Sequence, residues 1–192
     1  MTPGNYDDWD RLNQRFASRP GEAIRLTDVV WVLPRGFRFT LAGRTFMSFG
    51  GAASLDYEYR RARGTWWPAE MPTGVEVVFA MEGSPVEVLV ARETINGGTA
   101  KVEAVLRANP QGWEEAALEY SRASRHLITT LSAGVEPALL FRGHLNAADR
   151  MHTPSCRRIV SLLSGRQRKT LACLTSPPLR GRGSTKERQA MT

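Results

Sequence analysis

Tyr6, Trp9, Leu12 and Phe16 recur three or four residues apart with charged positions between them. This spacing predicts a short amphipathic helix over Asn5 to Phe16, ended before Pro20-Gly21. From Ile24 to Leu106 the apolar period shortens to two. Val29 to Leu33 reads as a strand stopped by Pro34-Arg35-Gly36. Phe37, Phe39 and Leu41 alternate with Arg38 and Thr40, and Ala42-Gly43 has the turn chemistry to connect them to Thr45 to Phe49, which Gly50-Gly51 ends. Leu55, Tyr57 and Tyr59 alternate again, followed by Val75, Val77 and Phe79, then Val86, Val88 and Val90, and finally Thr99 to Leu106.

Short strands at this spacing, without intervening helices, predict a mainly β fold. The expected architecture is a small antiparallel barrel or sandwich flanked by an N-terminal and a C-terminal helix. Asn109-Pro110 supplies the cap and first position of that second helix, which Gly134 ends. Its face is Trp113, Ala116, Ala117, Tyr120, Leu127 and Leu131. The expected organisation is a helix over 1–20, a barrel-like domain over 21–108, a packing helix over 109–134, and a linker with a basic disordered tail over 135–192.

Charge sharpens that division. Residues 151–192 hold nine of the 26 cations and one of the 19 acids, so the body is near neutral although the whole chain carries +7. The two cysteines, Cys156 and Cys173, both fall in the basic segment and do not suggest a secreted disulfide scaffold. The first residues carry acids and no apolar run, so no signal peptide is expected, and no run reaches the ~20 apolar residues of a membrane span. A cytoplasmic protein without a membrane partner is the expectation.

Candidate chemistry is sparse. His126 reads as a solvated helix residue. His144, His152 and Cys156, with Asp149 as an added donor, match no zinc spacing. Asp7, Asp8 and Asp10 suit the start of a helix dipole. No Gly-x-Gly-x-x-Gly, Walker loop or Gly-x-Ser-x-Gly elbow occurs, so no cofactor, metal or catalytic residue is expected and the chain reads as non-catalytic. Arg60, Arg61 and Arg63 beside Trp66-Trp67 could contact a phosphate backbone and stack on bases; the competing reading is a strand connection with its tryptophans tucked on the core. Arg166, Arg168, Lys169, Arg180 and Arg182 would add nonspecific attraction to DNA, or would form a merely solvated extension.

Arg25-Leu26-Thr27-Asp28, the run Phe37 to Phe46, and Met71-Pro72-Thr73-Gly74-Val75-Glu76-Val77-Val78-Phe79 resemble the C-terminal β-barrel region of Mu-type (DDE) transposases, over roughly residues 20 to 130. The resemblance implies a barrel that offers a positive surface to DNA beside a catalytic domain missing from this chain. The implied function is a non-catalytic, transposase-related module binding DNA nonspecifically in transposition. Arg60, Arg61, Arg63 and Trp67 would face the DNA, and a separate transposase catalytic subunit would be the protein partner. The alternative is a protein-interaction or phage structural module without nucleic-acid binding.

Overall fold

The computed structural model describes residues 1–145, 150–153 and 156–161. Within them lie helices α1 (Trp9–Ser18), α2 (Tyr57–Ala62), α3 (Gly74–Met81), α4 (Ala100–Ala108) and α5 (Glu115–Val135). The strands are β1 (Ile24–Arg25), β2 (Trp31–Val32), β3 (Phe37–Leu41), β4 (Arg44–Phe49), β5 (Val88–Ala91), β6 (Leu139–Arg142), β7 (Arg150–Thr153) and β8 (Cys156–Ser161). A 3-10 turn spans Pro68–Glu70.

This is an α/β arrangement, and it corrects the expected mainly β barrel or sandwich. A two-stranded sheet pairs β1 with β2, and a six-stranded sheet runs β3-β4-β5-β6-β8-β7. Strands β4, β5, β6 and β8 are parallel, while β3 and β7 add antiparallel edges. Parallel neighbours need long crossovers, and helices supply two of them: α2, the 3-10 turn and α3 between β4 and β5, then α4 and α5 between β5 and β6. The sheet is open, so the closed barrel implied by the transposase resemblance does not form.

Three expected strands are helical, each for a local reason. Thr73 opens α3 with a capping box: its hydroxyl accepts from the Glu76 amide while the Glu76 carboxylate accepts from the Thr73 amide. Val77 and Ala80 are buried, three residues apart, while Val75 and Phe79 are 80% and 71% exposed. The period-two apolar count across 75–79 thus ran around a helix whose outer face happens to be apolar. In α2 the inward position is the charged Arg60, which hides the helical period from any hydrophobicity count. Thr99 caps α4 by accepting from the Val102 amide, where the apolar run 99–106 had suggested a strand.

The helix boundaries near 109–134 shift as well. Asn109 ends α4 in a left-handed conformation (φ 42°) and does not open the next helix. Gly134 lies inside α5, which ends at Val135 with Glu136 left-handed at φ 45°. Gly134 accommodates α3 instead: a Cβ there would come within 2.8 Å of Met81 Cγ. Strands β6, β7 and β8 lie in the span expected to be a linker and tail, and β6 is central in the sheet.

The hairpin of β3 and β4 agrees with the alternation, with Ala42 and Gly43 both at positive φ in its two-residue turn. α1 also forms, capped by Asp8, and buries Trp9 and Leu12 against Ile24 and Val32. On one sheet face Met47, Leu89 and Leu140 stand in register and pack with Val77, Ala80, Ile128 and Leu131 from α3 and α5. On the other face Phe46, Val88 and Phe141 form a second apolar cluster. Burial of this order contributes about 1.5–3 kcal/mol per large apolar side chain. No helix among the described residues is long and apolar enough to cross a membrane.

Candidate functional site

Parallel strands end side by side, and the residues that follow them share one edge of the sheet. Here Phe49, Ala91 and Arg142 are in register at the carboxyl ends of β4, β5 and β6. The Arg92 amide donates to the Phe49 carbonyl (3.4 Å), and the Gly143 amide donates to the Arg92 carbonyl (3.2 Å), so the loops stay joined one step beyond the strands. The next residues are Glu93 and His144.

Glu93 is fully buried and His144 nearly so, with side chains 0% and 9% exposed. His144 Nδ1 lies 3.2 Å from Glu93 Oε1, which also accepts from the Thr94 amide at 3.0 Å. Burial pushes the Glu93 carboxyl up, but the adjacent imidazole and the Thr94 amide overcome it and hold the carboxyl below its ordinary range. A carboxylate there fixes the imidazole with Nδ1–H toward Glu93, which leaves Nε2 for a ligand. His144 and Leu145 have φ 55° and 52°, a left-handed pair costing about 1 kcal/mol or more per residue that places the ring at the edge.

Arg92 reaches the same place. Its Nε donates to the Asn5 side-chain oxygen at 3.2 Å. A Cβ on Gly143 would come within 2.8 Å of Arg92 Nη1, and one on Gly4 within 3.3 Å of Nε, so two glycines make the passage for this side chain. Arg92 and His144 both line an open cleft of about 330 Å³, with Tyr6, Asp56, Gln111 and Trp113 among its other lining residues. The Tyr6 hydroxyl donates to Asp56 at 3.1 Å, and burial followed by the Asp56 charge pushes its phenol up.

A buried network supports Asn5 from below. The Asn5 amide donates to Ser54 Oγ (2.9 Å), and the Ser54 hydroxyl donates to Glu70 (2.9 Å). Arg60 Nη1 donates to the Asn5 carbonyl and to Glu70 Oε2, each at 3.0 Å, and Trp66 Nε1 donates to Glu70 Oε1, also at 3.0 Å. Burial raises the Glu70 carboxyl, and the Ser54 and Arg60 contacts offset only part of that. Gly51, at φ +90°, lets the backbone pass this network, because a Cβ there would strike the Glu70 carbonyl and sit 2.6 Å from Arg35 Nη2.

The residues singled out from sequence do not converge. Arg60 is buried with Glu70. Arg61 is exposed and paired with Glu58 at 2.7 Å, and Arg63 is exposed with its guanidinium 3.5 Å over the Tyr59 ring. Trp67 is half-buried against Trp9, Leu12, Ile24 and Val32. Arg166, Arg168, Lys169, Arg180 and Arg182 lie outside the described residues, as does the expected disordered tail beyond 161. His126 is exposed on α5.

No family model, curated protein or solved structure matches this chain. The geometry therefore carries the functional reading. Among the described residues, no three His, Cys, Asp or Glu side chains cluster as metal ligands.

Sequence reasoning missed Arg92, Glu93 and Asn5, and weighed His144 only as a metal ligand, which its spacing did not support. One signal for them existed. Val88-Leu89-Val90-Ala91 and Leu139-Leu140-Phe141 are continuous apolar runs, the mark of strands buried on both faces, and each is followed within a few residues by charged or imidazole side chains. Reading those runs as parallel strands would have pointed to their carboxyl ends.

Proposed function

We propose that the chain acts on a small anionic ester bound in the cleft at the carboxyl ends of β4, β5 and β6. The observation that carries this reading is the buried Glu93 carboxylate 3.2 Å from His144 Nδ1, beside a guanidinium in the same cleft. Arg92 would receive the oxyanion, phosphoryl or carboxyl, since a planar guanidinium matches two such oxygens. Nε2 of His144 would take a proton from water as its oxygen attacks the phosphorus or carbonyl carbon. The ester bond then breaks, and the same proton passes to the departing oxygen. Glu93 keeps the ring oriented without touching the substrate.

The test is turnover of p-nitrophenyl phosphate and of an anionic p-nitrophenyl carboxylate ester by the full chain, against His144→Ala and Arg92→Ala. Activity lost in both variants supports the site, and preference between the two esters identifies the oxyanion. Activity unchanged in His144→Ala sinks the reading.

A second reading is the nonspecific DNA binding expected from sequence, favoured by the exposed positions of Arg61 and Arg63. It requires neither a barrel nor Arg60. Duplex titration at low salt tests it: no binding, or binding unchanged by removing both arginines from a chain truncated after residue 161, dismisses these side chains as the contact.

A further inference from the structure

Away from the cleft, Tyr57 of α2, Trp66 before the 3-10 turn and Tyr120 of α5 meet in one aromatic corner. Their ring centroids are 5.4 Å apart for Tyr57–Tyr120, 5.6 Å for Tyr57–Trp66 and 6.5 Å for Trp66–Tyr120. The planes are inclined by 60°, 45° and 69°, so Tyr120 meets both other rings edge-to-face and Tyr57 is tilted against Trp66. They line an open notch of about 490 Å³, completed by Ala116, Glu119 and Ala123 along α5.

Two features give this notch a charge preference. Elsewhere in the chain arginines already lie over aromatic rings: Arg35 over Trp9 at 4.0 Å, Arg60 over Tyr6 at 4.3 Å and Arg63 over Tyr59 at 3.5 Å. Among the described residues no arginine or lysine covers Tyr57, Trp66 or Tyr120 in this way. Trp66 also donates its indole N–H to the buried Glu70 carboxyl at 3.0 Å, which pushes electron density into the ring when that carboxyl is ionised. The rim carries Glu119, itself bridged by Arg122 on the outer side of α5. Three aromatic rings around a space too apolar for a bare ammonium suit a cation whose charge is spread over methyl groups.

We propose that the notch between α2 and α5 binds a small quaternary ammonium ligand, of the choline type, through the faces of Tyr57, Trp66 and Tyr120. The site is separate from the anionic cleft and does not depend on the chemistry assigned there.

Choline and tetramethylammonium, each titrated against the full chain by saturation-transfer NMR and tryptophan fluorescence, test this. The neutral isostere 3,3-dimethylbutan-1-ol serves as the comparison, because it has the same shape without charge. The expected result is saturable binding of both cations, with the isostere about tenfold weaker. Ala123→Leu, an exposed helical position that fills the notch, should abolish binding while far-UV circular dichroism stays unchanged. Equal binding of the isostere would show an apolar notch only and overturn the proposal. Binding unchanged in Ala123→Leu, or none by millimolar ligand, would overturn it as well.

Discussion

His144 and Glu93 are 51 residues apart in the chain, yet their side chains meet at 3.2 Å because β5 and β6 are parallel neighbours. Substituting Glu93→Gln keeps the shape and removes the charge that fixes the imidazole. Turnover should fall by about a hundredfold or more with little change in KM, as for other carboxylate-oriented histidines. Steady-state kinetics check this, with thermal denaturation to confirm a folded variant. A variant equal to the parent would show that the pair is structural.

Gly143→Ala separates anion binding from folding. Its φ is not in the left-handed region, and the nearest atoms to the added methyl all belong to the flexible Arg92 side chain, with Nη1 at 2.8 Å. Arg92 must move, and KM for an anionic ester should rise about tenfold, the loss of one charged hydrogen bond. The melting temperature should change little. Arg92→Lys should not restore KM, because a lysine cannot reproduce the planar fork.

Gly134→Ala weighs two effects against each other. In a helix interior the exchange alone would stabilise by about 1 kcal/mol, and in the last turn, where Gly134 sits, it should stabilise by less. The methyl would, however, collide with Met81 of α3, whose Cγ lies 2.8 Å from the added carbon. Overpacking costs about 1–3 kcal/mol, so the net effect should be destabilising. Met81→Ala should lose stability in the parent but lose less in the Gly134→Ala background. Urea denaturation of the four proteins gives the coupling, and strict additivity would mean that Met81 simply swings aside.

Glu70 and Glu76 should bend the acid limb of stability in opposite senses. Burial raises the Glu76 carboxyl, but Arg35 at 2.8 Å and Thr73 overcome it, leaving it below the ordinary range. Its stabilisation is present above that range and is lost as pH falls through the lowered value. Glu70, raised chiefly by burial, contributes stability that is complete below its ordinary pKa and is lost as pH rises through the raised value. Glu76→Gln should therefore flatten the loss of melting temperature between pH ~7 and ~3, and Glu70→Gln should steepen it. Parallel curves for all three proteins would contradict both assignments.

Several elements were legible along the chain. The β3–β4 hairpin is set by alternating Phe37, Phe39 and Leu41 and by a turn that needs two positive φ values at Ala42-Gly43. Trp9, Leu12 and Phe16 mark α1, and Val88 to Val90 mark β5. The errors at 57–62 and 74–81 share one cause, and the one at 100–108 has another. In the first two helices apolar or charged residues occupy faces opposite to what burial would suggest: Arg60 is inside, whereas Val75, Val78 and Phe79 are outside. In α4 the faces are ordinary, with Val102 buried and Lys101 and Arg107 exposed, and there the short apolar run was read without the Thr99 cap. The capping pair Thr73 and Glu76 was the better guide, because a cap reports backbone hydrogen bonding whatever the side chains face.

Local sequence alone therefore determined where strands β3 to β5 and helix α1 form, since turn geometry and periodicity act over a few residues. Only the tertiary structure decided that the strands run parallel and that Asn5, Arg92, Glu93 and His144 share one edge. That choice rests on helix crossovers and on burial at Met47, Leu89 and Leu140, contacts between residues tens of positions apart whose mutual fit no short window contains.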